Sequence, residues 1–163
     1  MRIYLATDHT GFEMKNFIKE KLISENYDVE DCGAHEYSAN DDYPDFIKFA
    51  AQKVSESPSN RAIIMGGSGQ GENMVANKFR SVRCAVFYSA SSPIHAADIS
   101  GRTSEDPYEM VRLTRTHNDA NVLSLGTRFL TKEEAYEAVK VFLNTEFTNE
   151  DRHVRRIKKI EGI

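Results

Sequence analysis

Short apolar runs alternating with amphipathic stretches along the 163 residues predict an α/β fold, a three-layer sandwich around a five-stranded parallel sheet. Three observations carry this. Apolar runs at 3–6, 62–65 and 122–125 each follow or precede a polar turn, as buried parallel strands do. A glycine-rich loop, Gly66-Gly67-Ser68-Gly69-Gln70-Gly71, joins one such run to a helical stretch. Helix-start signals stand at Pro44 and at Thr131-Lys132-Glu133-Glu134.

The first strand spans Arg2 to Ala6 and breaks at Thr7-Asp8-His9-Thr10-Gly11; a helix follows with Phe12, Phe17, Ile18 and Leu22 on one face. Tyr27 to Cys32 is the second strand, stopped by Gly33. A polar loop leads through Asp41-Asp42-Tyr43 to Pro44, which suits the first turn of a helix with Phe46, Ile47, Phe49 and Ala50 inward. Ala62 to Met65 is the third strand, and Met74, Val75 and Phe79 supply the apolar side of the helix after the glycine loop. Arg83 to Phe87 and Val122 to Leu125 are strands four and five. The capping box at Thr131 opens a helix with Ala135, Val139, Phe142 and Leu143 inward. One domain covers 1–163, with an extended connection at 89–107 and a basic C-terminal helix at 149–160.

Composition narrows the functions. A net charge of −4 gives no global attraction to nucleic acid or an anionic membrane, so any anion site is local. Cys32 and Cys84 form no C-x-x-C, and reduced thiols in a cytoplasmic protein are expected. Met1 leads directly into the first strand without a signal-peptide pattern, and no apolar run is long enough to span a bilayer. His95 and His117 with the nearby acids show no metal-ligand spacing, so no metal is expected. No cofactor is expected either, a flavin- or nucleotide-binding α/β protein being a further alternative.

The glycine loop carries the chemistry. Its glycines let the backbone approach a ligand, and consecutive amides before a helix form a concavity for an oxyanion. No Gly-Lys-Ser/Thr closes it, and Glu72 stands where a G-x-G-x-x-G pattern needs its third glycine, which disfavours nucleotides. Glu72 in the first helical turn either complements the helix dipole or moves a proton beside the anion hole. Ligands of parallel sheets sit beyond the carboxyl ends of the strands, which brings Asp8 and His9 to the same crevice. Asp8 and His9 also suit a turn and a cap, and His117 a structural role.

Residues 89–107, rich in Ser, Pro and Gly, exceed the length of an ordinary connection. The C-terminal stretch places Val154, Ile157 and Ile160 on one stripe and Arg152 and Arg156 on one face, four residues apart, where both can meet one phosphate dianion. Without interleaved aromatics, a small phosphate ester fits this face better than nucleic acid.

The chain resembles the type B ribose-5-phosphate isomerases and the related galactose-6-phosphate isomerase subunits. Asp8-His9-x-Gly11-Phe12, Asp42-Tyr43-Pro44, Gly67-Ser68-Gly69-x-Gly71, Ala76-Asn77-Lys78, His117-Asn118-Asp119-x-Asn121-Val122 and Arg152-His153-x-x-Arg156 carry the resemblance over nearly the whole length. It implies a flavodoxin-like or Rossmann-like fold, a homodimer or homotetramer with shared active sites, and metal-free aldose–ketose interconversion through a cis-enediolate. Many members carry a cysteine base at the position of Gly66; another branch uses a glutamate at the position of Glu72, which this chain matches. The resemblance implies Glu72 as base and Ser68 with the loop amides, Gly67, Gly69 and Gly71 among them, as oxyanion donors. His117, helped by Asp8 or Asn118, opens the furanose; Tyr43 and Asn118 meet sugar hydroxyls; His9, Arg128, Arg152 and Arg156 clamp the phosphate. The 89–107 connection departs from the family by about a dozen extra residues. That departure leaves ribose 5-phosphate as the expected substrate, with allose or galactose 6-phosphate, or a non-catalytic binding module, as alternatives.

Overall fold

A computed structural model describes all residues, Met1–Ile163. The elements run β1 (Arg2–Thr7), a 3-10 turn (His9–Gly11), α1 (Phe12–Ser24), β2 (Asp28–Asp31), α2 (Pro44–Glu56), β3 (Arg61–Gly66), α3 (Gln70–Ala76), β4 (Cys84–Phe87), α4 (Glu109–Asn118), β5 (Val122–Gly126), α5 (Lys132–Asn144) and α6 (Asp151–Glu161). The five strands form one all-parallel sheet in the order β2-β1-β3-β5-β4. A flavodoxin-like sheet has its last two strands in sequence order; here β5 lies inside and β4 takes the edge.

Alternation along each strand divides the core into two layers. Leu5, Ile63 and Leu123 stand side by side in register and point, with Ile3, Met65, Phe87 and Leu125, toward α1, α4 and α5. Tyr4, Ala6, Ala62, Ile64 and Val122 face the other way, against Ile47, Ala50, Ala51 and Val54 of α2 and Ala76 of α3. Three expected core residues lie outside these layers. Phe12 at the start of α1 meets Tyr37 edge-on instead. Phe49 is half exposed because Ala50, Ala51 and Val54 complete the buried stripe of α2, and Met74 faces solvent on the short α3. The capping box at Thr131 and Glu134 forms as expected.

The interior also holds a charge. Lys15 on α1 is fully buried; its ammonium donates to Asp31 Oδ1 at 2.5 Å and to the Ala34 carbonyl at 2.6 Å. Asp31 also accepts from Lys19 at 2.8 Å and from the Gly33 amide at 3.0 Å. Gly33 and Ala34 in turn exchange backbone bonds with Thr7, so this pair pins the end of β1.

The 89–107 connection folds onto itself. Buried Glu109 receives Arg102 and the Ser104 hydroxyl, Asp98 pairs with Arg102 at 3.0 Å, and Asp106 pairs with Arg112 at 2.7 Å. Its tip exposes Ile94 and Ile99. The structure has no helix long and apolar enough to cross a membrane.

Candidate active site

The chain leaves β1 toward α1 on one face and leaves β3 toward α3 on the other, so a crevice opens between these two strand ends. Threonine hydroxyls tie the crevice floor: Thr7 donates to the Met65 carbonyl at 2.9 Å, and Thr127 to the carbonyls of Thr10 and Gly66 at 3.1 Å. Ser124, buried on β5, donates to the Gly69 carbonyl at 2.7 Å and holds the glycine loop down. Gly69 adopts φ 72° against the Leu125 and Gly126 backbone, a conformation and closeness that need glycine.

A cleft of about 530 Å³ lies above this floor, lined by Asp8, His9, Thr10, Asp41, Tyr43, Gly67, Ser68, Gln70, Gly71, Glu72, Met74 and Arg128. The amides of Gly67, Ser68, Gly69 and Gly71 donate to no acceptor within the chain. Arg128 lies against Gly67, where a Cβ would meet its Cζ at 2.9 Å, and the Tyr43 hydroxyl would stand 2.6 Å from a Cβ on Gly71. Glu72 is 4% exposed, and a Cβ built on Gly66 would collide with both of its carboxylate oxygens. The carboxylate thus fills the space a side chain at 66 would take.

Burial raises the Glu72 pKa above the ordinary glutamate range; its own amide pulls it down and the charge of Asp8 adds to the rise. Burial therefore outweighs the helix start. A carboxylate with a raised folded pKa binds its proton more tightly folded than unfolded. Its stabilising contribution is complete below the unfolded pKa and is lost as pH rises through the folded one. Glu72→Gln is expected to melt above wild type near pH 8, with the gap closing toward about pH 4. Melting temperatures of both across pH check this; a variant less stable near pH 8 would mean that the ionised carboxylate is held by favourable contacts.

His9 Nδ1 lies 2.6 Å from Asp41 Oδ1, which also accepts the His9 amide at 3.0 Å. Asp8 accepts from the Thr10 amide and hydroxyl at 2.9 and 2.5 Å. Asp41 belongs to no motif that marks it as a site residue; its one signal in the sequence is its place beside Asp42-Tyr43-Pro44. The ligand atoms of Asp8, His9 and Asp41 lie within 4.8 Å of one another, although the short His9–Asp41 contact engages two of the three.

The remaining expected residues gather elsewhere. His117 and Arg152 line a second hollow of about 320 Å³ with Asp98, Arg102, Glu109, Arg112, Thr116, Thr148 and Glu150. Asn118, exposed, ends α4 beside His117, and Arg156 is exposed one turn beyond Arg152 on α6. No residue lines both cavities. The 89–107 connection walls the second hollow through Asp98 and Arg102 and contributes nothing to the lining of the first.

The fold and cleft define a class: parallel α/β proteins with a buried carboxylate, a carboxylate-held imidazole and free loop amides at one switch point. The family model described as Ribose/Galactose Isomerase matches residues 3–160, and the chain belongs to that family. It is 38% identical over 157 residues to ribose-5-phosphate isomerase B of Mycolicibacterium paratuberculosis, covering 96% of this chain and 87% of the relative. Among solved structures, ribose-5-phosphate isomerase B of Mycoplasma genitalium with bound ribulose 5-phosphate superposes with a TM-score of 0.84 at 36% identity, covering 99% of this chain and 94% of that one. The Thermotoga maritima enzyme gives 0.83 at 33% identity, covering 99% of this chain and 98% of that one.

Proposed function

We propose that this protein interconverts ribose 5-phosphate and ribulose 5-phosphate through a cis-enediolate, with Glu72 as the base. One observation carries the reading: the Glu72 carboxylate, desolvated and raised in pKa, fills the residue-66 side-chain position beside the free amides of the glycine loop. Glu72 takes the C2 proton and returns it to C1, while the loop amides and the Ser68 hydroxyl hold the enediolate oxygen. His9, set by Asp41, and Arg128 bind phosphate from the same cleft. His117, with Asp8 or Asn118, opens the furanose, Tyr43 and Asn118 hold sugar hydroxyls, and Arg152 and Arg156 complete the clamp.

His117 and Arg152 line a different hollow of the same chain, so this reading requires a second copy that brings its hollow to the first copy's cleft. A homodimer, alone or within a tetramer, meets that need. The two free cysteines, with Cys32 raised by burial to about 11, suit inert thiols in a reducing cytoplasm. The test is isomerisation of ribose 5-phosphate, allose 6-phosphate and galactose 6-phosphate with a chelator present. Conversion of the pentose fastest is expected. Preference for a hexose would reassign the substrate, loss with chelator would recruit Asp8, His9 and Asp41 to a metal, and binding without turnover would leave a sugar-phosphate-binding module.

A further inference from the structure

We infer that His153 is a positioning residue for His117, holding the ring-opening imidazole in plane by stacking beneath it. The inference rests on the reaction proposed above and extends it to a residue that touches no substrate. The two rings lie 4.2 Å apart between centroids and 16° from parallel. His153 is 2% exposed and is the buried residue of α6, whereas His117 is half-buried and lines the second hollow. The Nε2 of His153 is buried without a hydrogen-bond partner; its nearest carboxylate oxygen, on Glu150, is 3.9 Å away. Burial, His117 and Arg152 lower its pKa, with Glu150 opposing, which favours an uncharged ring. A neutral ring without a polar partner offers its flat face, and that face can support His117 whether or not it carries a proton. The stack sits next to Arg152 on α6 and next to Asn118 on α4, so it also fixes the phosphate-binding helix against the helix that carries His117.

The test separates ring opening from enolisation. Ribose 5-phosphate is largely a furanose, but ribulose 5-phosphate has its C5 oxygen esterified and stays open-chain. Exchange of its C1 hydrogen with deuterated water therefore needs Glu72 and not His117. His153→Ala is expected to turn over ribose 5-phosphate about tenfold more slowly, with C1 exchange at the wild-type rate. His153→Phe, which keeps a flat neutral face, restores most of the lost turnover. Wild-type turnover in His153→Ala, an equal loss of exchange, or a Phe variant as slow as the Ala variant would each overturn the inference. Survival of C1 exchange in Glu72→Gln would instead overturn the proposed reaction and leave its failure distinguishable.

Discussion

Glu72→Gln is expected to lower kcat for ribose 5-phosphate by about three to four orders of magnitude while leaving substrate affinity within a few-fold. Glutamine keeps the shape that fills the space over Gly66 and removes only the capacity to take a proton. The loop amides, His9 and Arg128 remain in place, so binding survives. Glu72→Asp is the sharper probe of geometry. It keeps a carboxylate but withdraws it by one methylene, a displacement that costs about a hundredfold in positioned catalysis. Steady-state rates and direct binding of ribose 5-phosphate to each variant check both. A Gln variant near wild-type rate would make Glu72 a dipole-complementing residue.

Asp31→Ala carries the largest stability effect expected in the molecule, about 3–5 kcal/mol. The substitution leaves the fully buried Lys15 ammonium with only the Ala34 carbonyl and strips Lys19 and the Gly33 amide of their acceptor. Burial lowers the Lys15 pKa and the Asp31 hydrogen bond and charge oppose it, so the substitution removes the group that holds the ammonium charged. Burial also opposes the charge on Asp31, yet hydrogen bonds from Lys15, Lys19 and Gly33 outweigh it and hold its pKa below the usual range. The sign of the linkage follows: this stability is present above the unfolded pKa and is lost as pH falls through the folded one. Replacing both partners with apolar residues, Lys15→Met with Asp31→Leu, is expected to recover most of the loss because both charges leave together. Denaturant midpoints of the single and double variants measure it. A single-variant loss below about 1 kcal/mol would show that solvent reaches Lys15 freely.

Much of this was legible in the chain. The buried strands read as unbroken apolar runs because a parallel sheet is covered on both faces, and Thr131–Glu134 formed the cap its spacing announced. The crevice holding Asp8, His9, Ser68 and Glu72 followed from strand ends and glycines alone, and Tyr43 from the family resemblance. What stayed hidden depends on long-range packing. The exchange of β4 and β5 depends on crossovers that leave no local signature. Asp41 meets His9 across 32 residues, and Lys15 meets Asp31 in the interior, where a sequence pattern would put a lysine outside. The direction of the Glu72 shift required burial to be weighed against a helix start, which only coordinates supply.

The shared site is tested most directly by pairing two inactive variants, Glu72→Gln and His117→Asn, in one co-expressed and purified oligomer. A mixed dimer holds one site with both residues intact and one with both replaced. Random pairing then predicts recovery of roughly a quarter of wild-type turnover, although neither parent alone is active. A mixed oligomer as inactive as its parents would contradict a site built from two chains, and with it the joining of the Glu72 cleft to the His117 hollow.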